Sequence, residues 1–219
     1  MKRTQSGFTL IEMAIVLVII GLLLGGVLKG QELINSAKVK NLATDFRNVP
    51  VYIYGYQDKY KALPGDDINV VQHLPAATLA TTPAGMQGNG IINGAWNSTT
   101  TTDESYLFWQ HIRLAGFAPG ATVVGVAGYL PTNAVGGPIG VTNSLADNPI
   151  TLPTPLVGTY IVCSGSIPGK FAKQLDTTLD DGNTATGSLM VLDPAGTALT
   201  SVPTANITDD KPYTVCMGY

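Results

Sequence analysis

The sequence predicts an α+β fold in which one long N-terminal helix is covered by a C-terminal antiparallel β-sheet. Three observations carry this. Apolar residues run almost unbroken from Phe8 to Leu28 and then recur every three or four positions as far as Tyr60, the period of a helix face. The 25 Gly and 14 Pro of the 219 residues fall mostly after residue 60, where they break long regular elements. Four short β-prone runs, TVVGVAGYL, TYIVCSG, SLMVLD and YTVCMGY, occupy the last hundred residues and are bounded by turns.

The first element is FTLIEMAIVLVIIGLLLGGVL, residues 8–28, with Glu12 as its one charge. At 1.5 Å per residue its 21 residues span roughly 31 Å, about the thickness of a bilayer core. Lys2 and Arg3 precede it, which places the N-terminus in the cytoplasm by the positive-inside rule. A secretory signal has a shorter apolar core and ends at a small-residue cleavage site, and neither holds here. A plain single-pass anchor leaves Glu12 unexplained, because a carboxylate inside a membrane helix costs on the order of 3 kcal/mol.

The helix continues through residues 29–62. Val39, Leu42, Phe46, Val49, Ile53, Tyr56 and Tyr60 form one face; Lys38, Lys40, Asp45, Arg47 and Asp58 lie on the other. Pro50 predicts a bend, and Leu63-Pro64-Gly65 an end. Asp66 and Asp67 then read as solvated turn residues rather than calcium ligands. Residues 75–103 form a long connection, in which GNGIINGAW suggests a short hairpin and Trp96 an anchor to the body. DESYLFWQHIRLAG predicts a short helix with Asp103 at its N-cap. The β-prone runs supply the sheet, with a Pro- and Gly-rich insert at 131–156, and FAKQLDTTLDDGNTATG reads as a short helix followed by a turn.

The N-terminal residues S-GFTLIE-MAIVLVIIGLL resemble those of type IV pilins and of type II secretion pseudopilins. The resemblance covers about the first 60 residues strongly. It implies a leader of residues 1–7, a membrane and filament-core helix at 8–28, its amphipathic continuation at 29–62, and a globular head at 63–219. It implies cleavage after Gly7 by a prepilin peptidase, which then methylates the new amino terminus at Phe8. It implies that Glu12, the fifth residue of the mature chain, meets the Phe8 amine of a neighbouring subunit, an assembly contact. Other pilin or pseudopilin subunits and an inner-membrane assembly platform are the implied partners. The implied location is the bacterial inner membrane before assembly, then a cell-surface pilus or a periplasmic pseudopilus. A structural subunit of a type IV pilus is the leading reading, with a secretion pseudopilin or a minor tip pilin that binds through its head loops as alternatives.

Charge and motifs narrow the rest. The net charge is −3, and removing Lys2 and Arg3 leaves 10 basic against 15 acidic residues with no basic stripe, so no dedicated nucleic-acid binding is expected. No nucleophile elbow, P-loop, dinucleotide fingerprint or HExxH is present, so the chain reads as no enzyme. Cys163 and Cys216 sit in matching β settings, TYIVCSG and PYTVCMG, and neither has the partners of a zinc site. On the external side of a membrane they predict a disulfide, closing a loop of about 54 residues worth roughly 4 kcal/mol. No cofactor is required. Asp176, Asp180, Asp181 and Asn183 fail the EF-hand pattern, because Thr177 and Leu179 fall on ligand positions. They stay open to a looser calcium site or to a solvated turn.

Overall fold

The computed structural model describes residues 9–143, 156, 158–194 and 200–219; Gly7, Phe8 and residues 144–155 of the 131–156 insert lie outside them. The chain divides into two compact units, Met1–Lys38 and Val39–Tyr219. The first helix, α1 (Leu10–Tyr60), contributes to both.

From Leu10 to Leu28, in the first unit, α1 is apolar on every side apart from Glu12, and its large side chains there are exposed. In the second unit only one face of α1 is buried: Val39, Leu42, Ala43, Phe46, Val49, Pro50, Ile53 and Tyr56. The helix runs through Pro50. A proline has no N–H to give the carbonyl four residues back, which here is Phe46 O. The Tyr219 hydroxyl donates to that carbonyl at 2.7 Å instead.

Among the described residues three further α-helices follow, α2 (Val70–His73), α3 (Glu104–Leu114) and α4 (Gly169–Leu179). The five strands among the described residues are β1 (Ile139–Thr142), β2 (Ile161–Pro168), β3 (Leu189–Asp193), β4 (Thr200–Ser201) and β5 (Pro212–Gly218). They form one sheet in the order β1-β2-β5-β3-β4, and every pairing is antiparallel. The last strand in sequence is therefore the middle strand in space.

Both faces of this sheet are covered. Val162, Leu189, Val191, Tyr213 and Val215 join α1 residues Leu42, Phe46, Val49 and Ile53 in the main core. The residues between them, Ile161, Cys163, Met190, Leu192 and Cys216, point to the other face and pack with Trp96 and Leu156. Side chains alternate along a strand, so burial on both faces is why these segments read as continuous apolar runs. Cys163 and Cys216 are directly opposed on β2 and β5 and form a disulfide, on the face away from α1. Trp96 anchors its loop on that face, and a Cβ at Gly140 would sit 1.6 Å from the Trp96 carbonyl oxygen.

Four local expectations change. Residues 122–130, read as a strand, form turns. Gly125 and Gly128 have positive φ there, and Arg113 on α3 takes the carbonyls of Pro119, Ala121 and Tyr129 that a ladder would use. GNGIINGAW is a loop rather than a hairpin, because the Asp66 carboxylate accepts the N–H groups of Gly88, Asn89 and Gly90. Asp66 and Asp67 are accordingly buried, not solvated; Asp67 accepts from the Tyr56 hydroxyl at 2.8 Å. The insert at 131–156 itself contributes strand β1. Asp103 does stand at the N-cap of α3, but its side chain accepts from Ser98 Oγ rather than from the helix.

Candidate functional site

Two places carry chemistry that a packed body does not need: the start of α1 and the end of α4. At the first, Thr9 stands immediately before α1 and Glu12 is its third residue. The Thr9 N–H and Oγ1 donate to Glu12 Oε2 at 2.8 and 2.7 Å, and the Glu12 N–H returns to Thr9 Oγ1 at 3.4 Å. This is a capping box, in which Thr-x-x-Glu satisfies the donors left open at a helix start. Glu12 thus has a task within its own chain besides any it has toward a neighbour. It is the one charged residue between Leu10 and Leu28. That stretch lies in α1, the helix long and apolar enough to cross a membrane by length and composition among the described residues. Gly7 and Phe8, the expected processing residues, lie outside the described residues.

At the second place, α4 ends on a turn that gathers Asp176, Asp180 and Asp181, with one carboxylate oxygen of each within 4.8 Å of the others. Asp176 is fully buried, and neither of its oxygens has a hydrogen-bond partner of normal geometry, the Gly182 N–H being the one backbone donor that acts on it. Asp180 Oδ2 accepts from the Leu189 N–H at 2.8 Å and Asp181 Oδ1 from the Asn183 N–H at 2.8 Å. Asn183 lies in the same turn, where its Oδ1 takes the Ala185 N–H at 3.4 Å. Burial, followed by the neighbouring Asp180 and Asp181 charges, pushes the Asp176 carboxyl up to about 6. The lysines of α4 pair elsewhere, Lys170 with Asp210 and Lys173 with Asp209. Among the described residues no cation lies within ion-pair distance of the three carboxylates. A set of hard oxygen donors with uncompensated charge suits a hard divalent ion, and the cluster is capable of coordinating one such as calcium.

Two further perturbed groups, His111 and Glu104, are structural. His111 is buried, accepts the Gly65 N–H at Nδ1 (2.9 Å) and meets Thr78 O through Nε2 (2.9 Å), and burial pushes its pKa down to about 4. It is a neutral bridge between two loops. Glu104, fully buried at the start of α3, accepts the Asn93 N–H at 2.7 Å, and burial pushes its carboxyl up to about 7.

Residues 2–28 match the family model described as the prokaryotic N-terminal methylation motif. No curated protein and no solved structure matches the chain.

Proposed function

We propose that this chain, which carries the prepilin-type methylation motif diagnostic of type IV pilins and pseudopilins together with their α+β architecture, is a structural, non-catalytic subunit of a type IV pilus or a related pilus-like filament. Association with a prepilin peptidase and with assembly machinery follows from the motif. The observation that carries the filament reading is the pairing of a motif with a surface. The helix that bears the motif exposes its apolar side chains from Leu10 to Leu28 and holds a single carboxylate, Glu12, near its start.

Before assembly this helix crosses the inner membrane with Lys2 and Arg3 in the cytoplasm, and lipid covers the apolar surface. After cleavage at Gly7 the Phe8 amine is new, and removing seven residues from 219 leaves a mature chain of 212. In the filament, neighbouring helices replace lipid, and the Phe8 amine of one subunit meets Glu12 of the next. A charge in such an apolar core is tolerated only when paired, which makes the pair a device for register. The presence of Glu12 suits a position with a subunit ahead of it rather than the extreme tip.

The experiment is Glu12→Ala as the only copy in the native host. Cleavage at Gly7, amino-terminal methylation and the membrane pool should persist, read by intact mass. Sheared filaments should fall by two to four orders of magnitude, because breaking a buried ion pair costs roughly 3 to 5 kcal/mol. The capping box is lost as well, at about 1 kcal/mol. Thr9→Ala removes most of that box while keeping the carboxylate, so a loss confined to Glu12→Ala isolates the contact between subunits. Normal filament yield from a normal membrane pool would return the chain to the class of simple anchored proteins.

A further inference from the structure

A cleft in the second unit, bounded by α1, α3, the turns that precede β1 and the first residue of β1, takes no part in the sites described above. Its cavity is about 150 Å³. A cavity of about 150 Å³ admits benzene, and because this cleft is open to solvent a substituted six-membered ring can seat its ring there with further groups outside. Asp45, Asn48 and Tyr52 line it from α1, Trp109 and Arg113 from α3, and Pro119 from the following turn.

The polar groups on its walls are unspent. Asp45 makes no ion pair or hydrogen bond among the described residues, and burial pushes its carboxyl up to about 6. Neither the Asn48 amide nor the Tyr52 hydroxyl has a partner among the described residues. Arg113 is held rigidly. Its Nε donates to Pro119 O at 3.1 Å, and its Nη1 donates to Ala121 O at 2.9 Å and Tyr129 O at 2.6 Å. The guanidinium lies 5.7 Å from the Trp109 ring centre and 5.3 Å from that of Tyr129. Three of its five N–H groups are thereby used, and the two on Nη2 are left over.

These features select a ligand class. An unpaired carboxylate, Asp45, and a fixed guanidinium, Arg113, line the same small space, so neither a simple cation nor a simple anion is favoured. A carboxylate only accepts, a guanidinium only donates, and amide and phenol do both. The complement is a compact ring whose closely spaced groups both donate and accept, with a C–H surface for the Trp109 and proline walls. Hydroxyl groups on a saturated ring have that character.

We propose that this cleft binds a neutral polyhydroxylated ligand, one sugar ring, with Asp45 accepting from its hydroxyl groups, Arg113 Nη2 donating to them, and Trp109 and Pro119 covering its apolar side. The head would then recognise carbohydrate independently of whether the chain assembles. The site is preorganised, because Arg113 is fixed by its three carbonyls before any ligand arrives.

The test uses the full chain in lipid nanodiscs free of sugar-based detergent. Glucose, galactose, mannose and N-acetylglucosamine are each titrated and followed by saturation-transfer NMR. At least one should bind, with a Kd on the order of 1 to 10 mM, as expected for one ring making a few hydrogen bonds. Asp45→Asn should weaken it about tenfold through loss of a charged acceptor, and Asn48→Ala about threefold. Asp58→Asn, an acidic position on α1 outside the cleft, should leave it unchanged. Near-UV circular dichroism verifies that each variant keeps the head fold. Absence of binding by all four sugars would overturn the proposal. So would binding that survives both Asp45→Asn and Asn48→Ala, or displacement of the sugar by glycine, which would assign the opposed charges to a zwitterion.

Discussion

Two stretches of the same helix solve opposite problems. Between Leu10 and Leu28 the side chains are apolar on all sides and exposed; Leu17 is 70% exposed. Between Val39 and Tyr60 one face is buried in the core while the other stays in solvent; Phe46 is 1% exposed and Val51 64%. The second stretch owes its place to contacts within the chain. The first has no such contacts and leaves its apolar surface exposed, on a helix long and apolar enough to cross a membrane. The same contrast governs backbone and charge. A membrane helix has no water to satisfy a stray polar group, and the first stretch leaves its start to a Thr9–Glu12 box of its own. The second tolerates Pro50, because Tyr219 from beyond β5 satisfies the carbonyl that the proline leaves open.

The largest expected effect tests the division of labour. Phe46→Ala should cost the head about 3 to 5 kcal/mol, the range for a buried aromatic, seen as a lower thermal midpoint by near-UV circular dichroism in nanodiscs. Leu17→Ala should leave that midpoint unmoved. Equal losses from the two would mean that the two stretches are not energetically distinct.

The next effect sharpens the account of Pro50. Tyr219→Phe removes the donor to Phe46 O and should cost about 1 to 3 kcal/mol, the penalty for a buried polar group left unsatisfied. In a Pro50→Ala background the new N–H can reach the same carbonyl, so most of that penalty should vanish. A double-mutant cycle on denaturant midpoints measures the coupling. A coupling energy of zero would show that the proline and the tyrosine act independently.

The smallest effect concerns charge. Glu104, at about 7, and Asp176, at about 6, keep protons in the folded head that the unfolded chain has released. Asp45, at about 6, acts the same way, whereas His111, at about 4, is neutral in the folded state where the unfolded imidazole is charged and so opposes them below pH 6.5. Three raised carboxyls against one lowered imidazole leave the folded state with more protons between the ordinary carboxyl range and about pH 6, so stability should fall as pH rises through that window. Glu104→Gln should flatten the part of the curve nearest pH 7. Calcium should raise the midpoint more at pH 8 than at pH 5, because protons on Asp176 compete with it. Asp180→Asn should shrink that gain. A midpoint that rises with pH, or a calcium effect indifferent to Asp180, would contradict these assignments.

The parts of the fold legible in sequence are those whose signal is local and periodic. The spacing from Val39 to Tyr56 identifies a buried helix face, and the matching surroundings of Cys163 and Cys216 identify neighbouring strands. Residues 88–96 and 122–130 mislead because distant side chains decide them. Asp66 captures the N–H groups of the first, and Arg113 captures carbonyls around the second. Neither carboxylate nor guanidinium announces its target through spacing. The acidic turn is half legible. LDDGN places Asp180 and Asp181 side by side, whereas the burial of Asp176 one helical turn earlier depends on how α4 packs on the sheet. The capping box at Thr9 and Glu12 is fully legible as Thr-x-x-Glu, and reading Glu12 only as a charge in an apolar run passes over it.

The position of β5 sets a schedule for folding. It forms ladders with both β2 and β3, so the centre of the sheet does not exist until residues 212–218 have been made. Every earlier strand waits as an unpaired edge or as half of a pair. Cys163 waits too, for the 53 positions that separate it from Cys216. At cellular synthesis rates that interval is roughly 3 to 10 seconds. The chain contains no third cysteine, so a premature disulfide can only join two molecules. Delay in supplying the last strand therefore leaves Cys163 open to disulfides with other molecules, while prompt supply lets the closing sheet bring Cys216 directly opposite it.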